Sequence, residues 1–166
     1  MSSHRITARP PITKAIEPDI STAPDELEAV SKDAAHYPNG HAAGVARPVT
    51  ESDVATLLLH SERVLPIGAQ SSLTGGATPM GDLVMDMQRF DRILAVNQDK
   101  VVLQPGVPLA VLQATLKRAG KYYPPVPTFD GAFAGGAQKP GLGETQVQVE
   151  GDEGQQEREA FEIAVV

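Results

Sequence analysis

The sequence predicts an α+β fold: a small βαβ unit followed by a mixed sheet that carries one helix. Three observations predict it. Between Gly44 and Ile67 two short β-type runs flank a helical segment, and Ile93 to Val96 and Val101 to Gln104 are apolar runs separated by the turn-forming stretch Asn97-Gln98-Asp99-Lys100. Between Pro108 and Gly120, Leu109, Leu112 and Leu116 fall on one helical face. With 166 residues the chain has room for one domain with a core of its own.

In chain order, residues 1–34 read as a partly irregular leader. Pro10, Pro11 and Pro18 interrupt it, and only Pro24 to Val30 is fit for a short helix, with Pro24 in the first turn and Asp25 and Glu26 at its positive end. Gly44 to Arg47 reads as a strand that Pro48 ends. Thr50 with Asp53 has the form of a capping box opening a helix through Leu57, Leu58 and Leu59. The strand Val64 to Ile67 completes a right-handed βαβ unit, and the loop that follows leaves its carboxyl end, where open α/β sheets bind ligands. Leu83 to Met87 alternates as a strand, the hairpin follows, and the helix from Pro108 stops at Gly120. Tyr122 to Pro127 is extended, because each proline disfavours helix in the residue before it. Residues 138–166 are rich in Gln, Glu and Gly and read as a low-complexity polar tail outside the core.

Composition narrows the function classes. Hydrophobic residues make up 41% of the chain but aromatic ones only 4%, with no Trp, so the core is aliphatic. A net charge of −7 without a basic stripe argues against nucleic acid as a partner. With Cys 0 there is neither a disulfide framework nor a thiolate metal site, and His4, His36, His41 and His60 show no metal-ligand spacing. No apolar run is long enough for a membrane span and no signal peptide is visible, so a soluble cytoplasmic protein is expected. Met80, Met85 and Met87 read as core filler; Asp86, Arg89 and Asp91 read as a charged strand end and turn with a local ion pair.

Val64 to Ala77, VLPIGAQSSLTGGA, is the stretch that points to chemistry. A strand runs into a loop of Gly, Ala, Ser and Thr, whose backbone N–H groups can approach an anion closely and whose hydroxyls can add hydrogen bonds. The loop lacks the lysine of GxxxxGK[ST], and it does not match GxGxxG, with Pro79 following soon after; this argues against ATP hydrolysis and against NAD binding of the Rossmann type.

Three segments in order, PIGAQSSLTGGATP (66–79), VMDMQRFDRIL (84–94) and VVLQPGVPLAVLQATLKRAGKYYPPVPTFDGAFAGG (101–136), resemble FAD-linked oxidases. That family has a flavin domain of the vanillyl-alcohol oxidase (PCMH) type, and its glycolate oxidase and D-lactate dehydrogenase branch is the most similar. The resemblance implies that residues 35–137 are the N-terminal, incomplete portion of such a domain, with non-covalent FAD, since Pro66 to Gly76 holds neither His nor Cys. The family's first segment, PxGxGTSLxGG, wraps the FAD pyrophosphate. That role carries onto Pro66, Ile67, Gly68, Ala69, Gln70, Ser71, Ser72 and Leu73, with Ala69 and Gln70 read as replacing family glycines and the Gln70 amide as still able to donate. The later segment resembles PPDPSS followed by Gly-Gly, which implies cofactor contact for Pro127, Thr128, Gly135 and Gly136, with Val126 in place of the usual Asp. Pro105 and Gly106 match the family's turn beside the cofactor.

The expected function is the FAD-binding portion of an oxidoreductase acting on a 2-hydroxy acid. Alone it is expected to be inactive, because the substrate domain and its catalytic groups are missing, so no catalytic residue is assigned. The loss of pattern near Ala137 leads to the expectation of a frame change or early stop there. Two other readings stay open: a non-catalytic nucleotide- or phosphate-binding module, and a non-functional fragment whose incomplete sheet leaves edges unpaired.

Overall fold

A computed structural model describes residues 19–98, 100–122, 131–137, 148–149 and 162–165. In the first half, β1 (Ile20–Ser21), α1 (Pro24–Ala29), β2 (His41–Ala46), α2 (Glu51–His60), β3 (Val64–Ile67) and β4 (Met80–Asp86) follow one another. They form a sheet of order β1-β2-β4-β3, with β4 parallel to both β2 and β3 and β1 antiparallel to β2. The strand–helix–strand unit is present, but its strands are not neighbours, because β4 inserts between them.

The sequence of β4 explains its central place. Leu83, Val84, Met85 and Asp86 are all buried, as a parallel strand covered on both faces must be. Successive side chains point to opposite faces, so β4 serves two cores. Val84 packs with Val30, Val45 and Ile67 on one side, and Leu83 and Met85 pack with Ala46 and Leu57 on the other. Of the three leucines expected on α2, only Leu57 enters the core; Leu58 and Leu59 face solvent.

The capping box at α2 forms as read. Asp53 N–H donates to Thr50 Oγ1 at 3.1 Å, and Asp53 Oδ2 accepts from the Thr50 N–H at 2.9 Å. Burial pushes the Asp53 carboxyl up, but the hydrogen bonds from Val49 and Thr50 outweigh it and hold the group below its ordinary value.

Arg47, just past β2, joins three elements, with Nη1 2.5 Å from Glu26 Oε2 and Nε 3.4 Å from Asp86 Oδ2. The Glu26 hydrogen bond is the main cause that raises the Arg47 pKa. The ion pair of Asp86 is therefore made across the sheet and not with Arg89 beside it. Asp86 also accepts from the Gln88 N–H at 3.0 Å, opening the 3-10 turn Met87–Arg89.

In the second half, β5 (Ile93–Val96) and β6 (Lys100–Leu103) form the expected antiparallel hairpin, with a register shift between Ile93 and Ala95. Helix α3 (Leu109–Arg118) buries Leu109, Leu112 and Leu116 against Val101, Leu103 and Val107. It is followed by β7 (Lys121–Tyr122), α4 (Ala134–Ala137), β8 (Gln148–Val149) and β9 (Glu162–Val165). β9 pairs parallel with β6 and β8 antiparallel with β7, so described parts of the stretch read as a polar tail are hydrogen-bonded to the strands before it.

Candidate functional site

β3 and β4 are parallel neighbours, so the chain must travel from the carboxyl end of one back to the start of the other. It does so through residues 68–79 without a helix. Such a crossover normally carries a helix that satisfies its backbone, and here bonds from elsewhere take that part.

The second half of the loop is tied down. Ser72 Oγ accepts from the Thr74 N–H at 3.3 Å and from the Gly76 N–H at 3.2 Å, and the Thr78 N–H donates to Gly75 O at 3.1 Å. The Ala77 N–H donates to Asp33 Oδ2 at 3.2 Å, and Asp33 Oδ1 accepts from the Ala35 N–H at 3.1 Å. Asp33 is buried, and burial pushes its carboxyl up. Hydrogen bonds from Ala77, Thr78, Ala35 and Ser72 together outweigh burial and hold it below the ordinary carboxylate value. Gly75 has φ of +80°, and the Tyr37 ring lies 2.9 Å from where a Cβ would stand on it.

The first half is different. From Ala69 to Leu73 no backbone N–H donates to another group among the described residues. Ser71 and Leu73 are exposed, while Gly68, Ala69, Gln70 and Ser72 are half-buried. A run of donors without an acceptor among the described residues, past the carboxyl end of a parallel strand, can receive an anion.

Gly68 links this loop to the last family-like segment. A Cβ there would lie 2.9 Å from Phe133 Cδ2, so only the absence of a side chain lets the ring approach. Residues 132–135 in turn lie along 105–109. The Leu109 N–H donates to Ala132 O at 2.9 Å, the Ala134 N–H to Val107 O at 2.8 Å, and the Gly135 N–H to Pro105 O at 2.9 Å. Gly106 packs onto the 3-10 turn, its N–H donating to Phe90 O at 2.8 Å. The Pro105-Gly106 turn thus positions Gly135 and the start of α4.

A family described as FAD binding domain matches residues 42–155. The chain belongs to this family. The match runs past Ala137 into the stretch read as a tail. Among solved structures, alkyldihydroxyacetonephosphate synthase is similar with a TM-score of 0.62 and 16% identity, over 70% of this chain and 25% of that one. A second crystal form of a protein of that name has a TM-score of 0.48 and 21% identity, over 55% of this chain and 21% of that one. At these identities the likeness is one of fold, and the chain spans about a quarter of the length of the first structure. The domain is a mixed α/β FAD-binding domain, and its cofactor is FAD.

The family-pattern residues are placed as follows. Ile67 turns its side chain into the core beside Val84, which leaves its backbone to the loop. Laid on PxGxGTSLxGG residue by residue, Gln70 alone takes the place of a glycine; Ala69 falls on a variable position. Gln70 has the φ of +46° that such a glycine suits, but its amide does not donate outward: Nε2 donates to Val30 O and Ala77 O, both at 2.9 Å. Gly135 and Gly136 are exposed on α4, close behind Phe133, whereas Val126, Pro127 and Thr128 lie outside the described residues. Asp33 and Tyr37 were not legible as site residues, since SKDAAHYPNG holds no motif. Phe133 was within reach, lying inside DGAFAGG, but only the glycines there suggested contact.

Proposed function

We propose that the loop Pro66 to Leu73 holds the FAD pyrophosphate and that Gly135 and Gly136 approach the cofactor from the other side. The observation that carries this is the run of N–H groups from Ala69 to Leu73 without an acceptor among the described residues, set beside α4 by the contact of Gly68 with Phe133. The family pattern implies cofactor contact for Pro127 and Thr128 as well. With no His or Cys between Pro66 and Gly76, attachment through this loop has no nucleophile available, and FAD is held non-covalently.

In the same reading the parent oxidoreductase acts on a 2-hydroxy acid of the glycolate or D-lactate kind, supported by the likeness of DMQRFDRIL and YYPPVP to that branch. FAD, when bound, accepts two electrons as hydride. In this reading this chain's residues bind and orient its phosphates, and the domain alone binds cofactor without turnover, because hydride transfer also needs an oriented substrate and a base.

Purification of the full chain tests the reading. A yellow protein that releases FAD, identified by chromatography, on mild denaturation is expected. A colourless, folded protein that takes up no added FAD would contradict it.

A further inference from the structure

Gln70 stands at the turning point of the loop with a backbone that glycine would adopt more easily, φ +46°. Its own carbonyl accepts from the Ala34 N–H at 2.9 Å, while Nε2 donates to Val30 O and to Ala77 O, each at 2.9 Å. An amide nitrogen has two hydrogens, and both are used. One side chain therefore ties the open half of the loop to the segment after α1 and to the loop's own closing turn.

We propose that Gln70 is a positioning residue, a staple that holds the loop in its binding shape before the cofactor arrives. The proposal rests on the pyrophosphate reading of the loop. A loop of Gly, Ala and Ser with unused N–H groups has many conformers open to it, and each must be given up when a ligand binds. Glycine at position 70 would accept the backbone angle without strain and contribute no cross-link. Glutamine fixes the loop in advance, while the N–H groups of Ala69 to Leu73 have no acceptor among the described residues.

The test uses the full chain as wild type, Gln70→Gly and Gln70→Glu, with amide hydrogen exchange in the absence of FAD and calorimetric titration with FAD. Both variants should exchange the Ala34 and Ala77 N–H groups at least tenfold faster, with α3 unchanged. FAD affinity should fall at least tenfold with a less favourable binding entropy. In Gln70→Glu the introduced carboxylate cannot donate to the carbonyls of Val30 and Ala77. Protonating it restores one donor, so its affinity deficit should shrink on acidification. Asp33 bonds the Ala77 N–H, and His36, whose N–H donates to Asp33 O, and Tyr37 lie on the same segment; wild type over the same pH range corrects for their titration. Exchange and affinity within twofold of wild type in both variants would overturn the proposal, and Gln70→Glu keeps it testable should Gln70→Gly unfold. Faster exchange in the variants, with no FAD bound by wild type, would support the staple and overturn the cofactor reading instead.

Discussion

The ring of Phe133 occupies the space that a side chain on Gly68 would need, 2.9 Å from the position of its Cβ. Two segments far apart in sequence, the end of β3 and the start of α4, touch at this point. Gly68→Ala should therefore destabilise the fold by about 1–3 kcal/mol through overpacking and weaken FAD by shifting one wall of the site. Combining it with Phe133→Leu should restore part of the stability. Urea unfolding of the single and double variants measures both effects, and additive losses would argue against the contact.

Asp33 braces the loop from beneath, and its pH dependence has a definite sign. Its folded pKa lies below the ordinary value despite burial, because Ala77, Thr78, Ala35 and Ser72 bond the ionised form. Above about pH 3.9, the usual aspartate pKa, both folded and unfolded states are ionised and the stabilisation is fully present. As pH falls through the folded pKa the unfolded state takes up the proton first, and the stabilisation is lost. Asp33→Asn should lower the urea midpoint at neutral pH, and the gap to wild type should close in acid. A gap that stays constant down to pH 2.5 would show that the charge is not what matters.

Arg47 tests the other side of the sheet. Asp86 is buried, and the Arg47 guanidinium offsets the loss of its hydration. Arg47→Met should cost about 1–3 kcal/mol, more than an exposed pair would, because Asp86 is left without its cation. Arg47→Met with Asp86→Asn should recover part of that cost in the same unfolding assay.

Much of this arrangement was legible from the sequence where it depends on near neighbours. The Thr50 and Asp53 capping box, the hairpin of β5 and β6 and the leucine face of α3 are set by spacings of a few residues, and all three form. The insertion of β4 between β2 and β3 was not legible, since strand order depends on which strand can be covered on both faces. Asp86, Arg89 and Asp91 were read as a charged strand end and turn with a local ion pair, yet it is Arg47, past the end of β2, that reaches Asp86. That a loop of small and hydroxyl-bearing residues leaves β3 was legible in Gly68 to Ser72. Its support was not, because Asp33 lies 44 residues before the Ala77 N–H that it holds.

The central claim is that the open half of the loop faces the FAD pyrophosphate, and calorimetric titration of wild type and Ser71→Asp with FAD tests it most directly. Ser71 is exposed among the unused N–H groups, and an added carboxylate there should repel a phosphate about 4 Å away by about 1 kcal/mol in water and more where the site is shielded. Wild type should bind FAD, and Ser71→Asp should bind it at least about fivefold more weakly, with a difference that shrinks as salt is raised. Equal affinity of the two proteins for FAD at low salt would contradict the account.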